Sequence, residues 1–352
     1  MATVLTTEQT AALRDLLGAE PESLSPLAGG NNLVLALACK GERWVAKFYF
    51  SHPQDRRDRL GAEFSMLSFL WRCGVRCIPE PLAADRQRQL GLYRFVEGVR
   101  PQPDEVGPDD VRQMGDLLQG MAALRSEAEA AQLPPASECC LSLRKYPDLV
   151  GGRLLRVRDG LTRVREDALH RQARCYVEDE VVPLFEQAVR HALAGVPLGS
   201  PLDAELPSSE RTLTPADHGF HNTLRRRDGS LVFLDFEYAG WDDPAQMIGN
   251  ACLQPEVPLP ALERAPFVRR MTGLFGDRGR LLARIERVYP LLALRWSLIM
   301  LNEFLPVERE RRGFAQADPE ARRGRQLAKS RGHLALVREA LAGRHFLAEV
   351  ES

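Results

Sequence analysis

The sequence lacks the features that mark several large classes of protein. It contains no run of eighteen uncharged apolar residues, and the longest candidate, residues 291–301, is interrupted by Arg295. A membrane-spanning helix is therefore not expected. The first twenty residues have neither a basic segment nor a long apolar stretch, so no secretory signal is expected. The 47 Lys and Arg nearly balance the 48 Asp and Glu, which favours neither nucleic acid nor a membrane as a partner.

Paired cysteine clusters and the common nucleotide-binding loops are also missing. The seven cysteines are odd in number, and Cys73 and Cys77 have no second pair with zinc-site spacing. Reduced thiols in a cytoplasmic protein are the simplest interpretation. Neither G-x-x-x-x-G-K-[ST] nor G-x-G-x-x-G occurs, so the sequence supports neither a P-loop nucleotidase nor a Rossmann dinucleotide site.

The order of predicted elements indicates two lobes of different structure. Turn signals at 29–32 and 40–41 separate three β-like runs, at 25–27, 34–38 and 44–50, which predicts a three-stranded antiparallel meander. A helix at 56–72 and two further strands, near 82–84 and 90–95, follow. After the proline-rich stretch 101–108 the patterns are mostly helical. We expect an α+β fold with a β-rich lobe at 1–97 and an α-rich lobe at 98–352. The basic run at 144–174 is interpreted as a solvated, mixed-charge helical face.

The stretch from Asp217 to Pro244 carries the clearest chemistry. Asp217 and Asn222 are five residues apart, and Asp235 follows Asp217 by eighteen. A predicted hairpin, with its turn at 228–229, would bring the three together. Asp217 can accept a proton, and the other two offer oxygens suited to Mg²⁺, which is the minimum equipment for phosphoryl transfer. The alternative is that these residues only cap turns.

Two pieces of the N-terminal part point to phosphate binding. Lys47 lies on a predicted strand, and Glu63 follows sixteen residues later on the inner side of a predicted helix. Such a pair can hold the lysine ammonium against nucleotide phosphates, although either residue alone is most often a surface charge. Gly29 and Gly30 could cover phosphates with backbone N–H groups, or could form only a hairpin turn.

The motifs D-H-G-F-H-N at 217–222 and D-F-E-Y-A-G-W-D-D-P at 235–244 resemble those of the aminoglycoside phosphotransferase and choline kinase superfamily. This resemblance implies small-molecule kinase activity on a two-lobed, protein-kinase-like fold, with ATP or GTP and Mg²⁺ as cofactors. It implies that Asp217 is the catalytic residue and that Asn222 and Asp235 bind the metal. Lys47 and Glu63 would serve the phosphates, and the backbone of Arg94 and Val96 would meet the adenine edge. Asp243-Pro244 is interpreted as structural support.

The chain departs from the family pattern at two positions. Pro215 stands where the family usually has a histidine, and Met247 stands where an acidic residue often occurs. A catalytically silent, nucleotide-binding regulator is therefore the alternative function.

The resemblance places a small hydroxylated acceptor against helices of the C-terminal lobe. The candidate acceptor residues are Glu237, Asp242, Arg295, Trp296 and Glu303. A cationic acceptor would require carboxylates or an aromatic cage, whereas a phosphorylated or carboxylated acceptor would require Arg295. The sequence leaves this choice open, together with the nucleotide preference and the oligomeric state.

Overall fold

The structure is a computed structural model that describes residues 5–27, 31–53, 55, 57–163, 167–196, 201–314, 320–344, 347 and 350. The helices are α1 Thr7–Leu17, α2 Arg59–Arg72, α3 Pro108–Ala123, α4 Lys145–Arg163, α5 Ala168–Tyr176, α6 Val182–Leu193, α7 Pro244–Leu253, α8 Ala261–Thr272, α9 Arg278–Met300, α10 Pro306–Phe314 and α11 Glu320–Leu341. The strands are β1 Ser23–Leu27, β2 Leu33–Cys39, β3 Glu42–Phe48, β4 Pro81–Asp85, β5 Leu90–Arg94, β6 Thr212–Thr214, β7 Thr223–Arg225, β8 Leu231–Phe233 and β9 Gly240–Asp242.

The N-terminal part is built on one antiparallel sheet with the order β1-β2-β3-β5-β4. Strand β2 alternates between buried and half-buried positions, as expected for a strand with one face against a core. That core also holds Leu13 and Leu17 of α1. A capping box of Thr6 and Gln9 starts α1, and Gly18 ends it in the left-handed region at φ 63°. The predicted meander is confirmed, and the two later predicted strands extend it to five.

The C-terminal part is mostly helical and is organised around α9. Every residue of α9 from Val288 to Leu298 is buried, and α4, α6, α7 and α11 pack around it. Helix α2 contributes Met66, Leu67 and Leu70 to this larger core and so joins the sheet to the helices. The predicted two-lobed α+β fold is confirmed, while the boundary after Glu97 remains a prediction.

Helix α10 also bridges the two parts. Arg311 donates from Nη2 to Asn31 Oδ1 at 2.6 Å, and the ring of Phe314 lies 5.6 Å from that of Phe50. The C-terminal part therefore contacts the sheet through this helix as well as through the linker after β5.

Two local features differ from what the sequence patterns indicate. The sequence predicts an apolar helical stripe over 176–194, and the structure has a π-helical turn, Val177–Val181, followed by α6 in this range. Pro183 lies in the first turn of α6, and its missing N–H removes one donor from the helical ladder. The Pro- and Ser-rich composition of 197–215 predicts a loop, which is wrong at Thr212–Thr214, where β6 pairs with β9. Three-residue strands are too short to show an alternating pattern.

Within the described ranges, no helix combines the length and apolar character needed to cross a membrane. All seven cysteines are described, and each is a free thiol.

Candidate active site

A cleft of about 1650 Å³ lies between the sheet and the helices. Its walls include most of the residues that the sequence singled out, namely Lys47, Glu63, Arg94, Val96, Asp217, Asn222, Asp235, Arg295, Trp296 and Glu303. Gly29 and Gly30 lie outside the described residues. The neighbouring Asn31 and Asn32 line the cleft at the end near Lys47.

The predicted hairpin is confirmed and explains how distant residues meet. Strands β7 and β8 pair antiparallel, with Thr223 opposite Phe233. The N–H of Leu234 donates to the carbonyl of Asn222 at 2.8 Å, which places Asn222 beside the residue that precedes Asp235. The Asn222 side-chain nitrogen donates to the carbonyl of Asp217 at 2.9 Å. Hydrogen bonds therefore connect the segments that carry all three residues.

Two non-glycine residues at these segments adopt left-handed backbone conformations. Ala216 has φ 66° and Asp235 has φ 64°. Such conformations cost on the order of 1–3 kcal/mol each and persist where the surrounding structure imposes them. Because one directly precedes Asp217 and the other is Asp235 itself, the strain lies where two candidate side chains enter the cleft.

Lys47 is held by two carboxylates. Its Nζ lies 2.6 Å from Glu63 Oε2 and 2.6 Å from Asp235 Oδ1, and Glu63 also accepts from Tyr49 Oη at 2.7 Å and Phe236 N at 3.3 Å. Burial alone would lower the pKa of Lys47, but the surrounding carboxylates outweigh it and the pKa is raised well above its ordinary value. The side chain is therefore a fixed ammonium, and the predicted pairing of Lys47 with Glu63 is confirmed.

Asp235 and Asn222 form a donor set that fits Mg²⁺. Burial raises the pKa of Asp235 to about 6 against the lowering effect of Lys47. An added positive charge would therefore stabilise the ionised form of this carboxylate. The Asn222 amide nitrogen is bonded to Asp217, which leaves its amide oxygen as the ligand atom. In the described part of the chain, no three His, Cys, Asp or Glu cluster into a metal site.

Asp217 is held as a carboxylate by two neighbours that sequence reasoning did not assign to it. Gln254 Nε2 donates to Oδ1 at 3.2 Å, and His221 Nε2 lies 3.5 Å from Oδ2. Burial alone would raise the pKa of Asp217, but His221 outweighs it and the pKa is lowered. A half-buried, ionised carboxylate can accept a proton from a hydroxyl placed beside it.

Glu237 and Asp242 do not fit the predicted acceptor role. Glu237 is 1% exposed, accepts from Asn32 Nδ2 at 2.5 Å and lies 3.9 Å from Lys47 Nζ, which places it behind the lysine. Asp242 is fully buried and accepts from Cys140 N, Asp243 N and Gln246 Nε2. Both carboxylates are used inside the protein and are unavailable to an acceptor.

The structural interpretation of Asp243-Pro244 agrees with the contacts. Asp243 caps α7 through Ala245 N at 2.8 Å and also accepts from Tyr146 Oη at 2.7 Å and Arg284 Nε at 2.5 Å. Met247, the residue in place of an acidic one, is buried in the larger core.

The end of β5 and the linker that follows it line the cleft. The Arg94 N–H donates to Glu80 O at 2.9 Å, and its guanidinium is bonded to Glu42 and Glu80. Arg94 and Val96 both line the cleft, so a contact with adenine through their backbone remains a prediction.

The end of the cleft to which the sequence assigns the acceptor, called the acceptor end below, is built around Arg295. Its Nε donates to Glu138 Oε2 at 3.1 Å, and its Nη1 donates to Asn250 Oδ1 at 3.0 Å. Arg153 of α4 bonds the other oxygen of Glu138 and donates to Asn302 Oδ1 at 3.1 Å.

Sequence reasoning missed both Glu138 and Arg153. The solvated-face interpretation of the basic run is wrong at Arg153, which is 8% exposed and lines the cleft. Its spacing from the buried Val150 and Val157 was the available signal, because residues three and four apart share a helix face.

Comparison with known proteins gives one family and a consistent fold. The family model "Phosphotransferase enzyme family" matches residues 23–281. The sequence matches none of the curated proteins against which it was compared.

Three similar solved structures illustrate the fold. Spectinomycin phosphotransferase, solved with ADP and spectinomycin, is 10% identical with a TM-score of 0.61, over 94% of this chain and 98% of that one. A choline/ethanolamine kinase family protein from Mesorhizobium loti is 18% identical with a TM-score of 0.58, over 94% and 98%. A choline kinase from Streptococcus pneumoniae is 14% identical with a TM-score of 0.56, over 93% and 97%.

Proposed function

Because this chain belongs to the phosphotransferase enzyme family, we propose that it is an ATP- and Mg²⁺-dependent kinase that phosphorylates a hydroxyl group of a small molecule. One observation carries the proposal. Asp217, Asn222 and Asp235 are brought together by hydrogen bonds between their segments, and they face the same cleft as the paired Lys47 and Glu63. GTP in place of ATP is the other option for the nucleotide.

The charged groups divide the work at the phosphate end. Lys47, held by Glu63, offers a permanent ammonium to the phosphates of the nucleotide. Asn222 and Asp235 would hold a Mg²⁺ ion, which would offset the negative charge of the phosphates. The ion pair between Lys47 and Asp235 keeps the two groups in place before ligands bind.

Asp217 acts on the acceptor. The attacking hydroxyl oxygen forms a bond to the γ-phosphorus while the bond from that phosphorus to the β–γ bridging oxygen breaks. Asp217 takes the hydroxyl proton, and ADP leaves with the bridging oxygen. His221 and Gln254 hold the carboxylate in position, and they stand in for the orienting histidine that Pro215 replaces.

A small molecule is a better acceptor than a protein chain. Only seven residues separate Asp235 from Asp243, and β9 occupies the last part of this connection. No segment there is long enough to hold a peptide. The structural relatives named for spectinomycin, choline and ethanolamine also favour a small hydroxylated acceptor.

The test is ADP release across a panel of amino alcohols, aminoglycosides, sugars and nucleosides. Asp217→Ala should abolish turnover and leave Mg-ADP affinity within about threefold of wild type, because the carboxylate touches the acceptor. The matched control is Asp228→Ala, since Asp228 lies in the turn between β7 and β8 and bonds only Ser230 in the described contacts.

The outcomes separate the two candidate functions. Wild-type turnover by Asp217→Ala with the true acceptor would refute the catalytic assignment. Nucleotide binding by the wild type without turnover of any acceptor would favour the silent regulator.

A further inference from the structure

A cluster of one half-buried carboxylate and two buried guanidinium groups lies at the acceptor end of the cleft. It consists of Glu138, Arg153 and Arg295, with Glu138 Oε2 bonded to Arg295 and Oε1 bonded to Arg153. All three residues line the cleft, and both arginines are over nine-tenths buried.

The cluster carries one more positive than negative charge. Two guanidinium groups share the single carboxylate of Glu138, which leaves a net charge of about +1 in a poorly solvated place. Three of the other carboxylates that line the cleft already have a basic partner. These pairs are Glu303 with Arg322, Glu256 with Lys329 and Glu308 with Arg311. A buried surplus charge is costly unless a ligand compensates it.

Two buried donors in this region have no acceptor among the described residues. They are Arg153 Nε and Trp296 Nε1, and both residues line the cleft. Buried donors are normally bonded, so an unpartnered pair beside a positive cluster indicates an acceptor group that comes from outside the chain.

The cluster is held rigidly and lies near Asp217. Glu138 has the left-handed φ of 61°, and Gln246 Nε2 fixes its carbonyl at 3.0 Å. Arg295 bonds Asn250, a neighbour of Asp217 and Trp296, and Arg295 and Asp217 line the same cleft. A molecule that reaches the cluster can therefore place a hydroxyl at Asp217.

We propose that the acceptor carries an anionic group, a carboxylate or a phosphate monoester, which binds between Arg153 and Arg295 and accepts from the Trp296 indole. Arginine forks match the two oxygens of either group. This inference rests on the proposed kinase function and names its acceptor class. A quaternary ammonium or amino acceptor would instead meet a surplus of positive charge.

Four small acceptors of similar size test the class. Glycerol is neutral, glycerate carries a carboxylate, glycerol 3-phosphate carries a phosphate, and choline is cationic. We expect at least one of the two anions to raise the melting temperature of the Mg-ADP-loaded protein more than glycerol or choline does. The anion with the larger effect identifies the group. ADP release with the same compounds should follow the same order.

Two outcomes would overturn the inference. One is that neither anion raises the melting temperature more than glycerol does. The other is that choline is bound or phosphorylated better than both anions, which would leave the proposed kinase function standing. Failure of the wild type to bind Mg-ADP would instead count against the proposed kinase function, and this binding is measured separately.

Variants of the cluster connect the effect to these side chains. Arg153→Met and Arg295→Met should each weaken the stabilising anion at least about tenfold, since hydrogen bonds to charged groups contribute this much. Arg158→Met is the matched control, because Arg158 lies on the same helix and pairs with Glu178 at the surface. Unchanged anion affinity in both arginine variants would refute the assignment.

Glu138→Gln should change the anion affinity in the opposite direction, and it tests the proposal even if the arginine variants fold poorly. Removal of the carboxylate raises the net charge of the cluster from about +1 to about +2, so the same anion should bind more tightly. Equal or weaker binding in this variant would contradict the proposal.

Discussion

The buried bond between Lys47 and Glu63 supports a quantitative prediction for Glu63→Gln. Glu63 is 4% exposed and accepts three hydrogen bonds, at 2.6 Å from Lys47, 2.7 Å from Tyr49 and 3.3 Å from Phe236. A glutamine keeps one acceptor oxygen, but its amide N–H group would face one of the donors that the carboxylate now accepts from. One charge-assisted bond is lost and one buried donor loses its partner, at a combined cost of about 3 kcal/mol.

The expected change can be read by calorimetry and by kinetics. For a chain of 352 residues, at about 2.1 cal/mol/K per residue, 3 kcal/mol lowers the Tm by about 4 °C. The ammonium of Lys47 would then be oriented by Asp235 alone, so kcat/KM for ATP should fall about tenfold or more. Glu97→Gln is the control, because Glu97 forms an ion pair at the surface and its side chain is 73% exposed.

A specific pair of results would refute this reasoning. If Glu63→Gln melted within about 1 °C of the wild type and kept its kcat/KM for ATP, the carboxylate would not organise Lys47. If the Glu97→Gln control lost as much stability, the loss would be a general effect of charge removal.

Three further predictions concern pH, backbone packing and metal binding. The arginines outweigh burial and lower the pKa of Glu138 from 4.5 to about 2. Ionised Glu138 should therefore add roughly 3 kcal/mol to the free energy of unfolding above pH 4.5, and this contribution should be lost as the pH falls towards 2. Urea unfolding of Glu138→Gln should lack that part of the pH dependence. Gly240→Ala should lower the free energy of unfolding by about 1–3 kcal/mol in the same assay, because the new Cβ would lie 2.3 Å from Pro134 O. Gly276→Ala is the control and should leave that free energy unchanged, because its new Cβ meets no atom within 4 Å. Asp235→Ala should weaken Mg-ATP binding at least about tenfold in calorimetric titration and change metal-free ATP binding little; equal losses with and without Mg²⁺ would contradict its role as a ligand.

The sequence predicted how the end of the cleft around Lys47 is built, because short-range patterns determine it. The strand that carries Lys47, the helix that carries Glu63 and the hairpin from Thr223 to Phe233 each follow from local periodicity and turn residues. Once the hairpin forms, Asn222 and Asp235 must lie close together.

The acceptor end could not be predicted because its residues meet only through tertiary packing. Glu138 lies in an irregular segment, whereas Arg153 and Arg295 lie on helices 142 residues apart in the chain. Nothing local in the sequence indicates that one carboxylate bridges these two helices. Asp242 illustrates the opposite mistake. The sequence assigns this acidic residue to acceptor binding, but its carboxylate accepts hydrogen bonds from groups of the protein itself.

The contacts of α10 with the sheet have a consequence for the movement of ligands. The linker at 94–96 joins the two parts at one edge of the cleft, and α10 closes another edge through Arg311 and Phe314. A hinge motion about the linker must therefore break the contacts of α10 before the cleft can widen. We expect the detachment of α10 to control how fast nucleotide enters the cleft and ADP leaves it. The helix would then affect the rate of turnover without taking part in the chemical step.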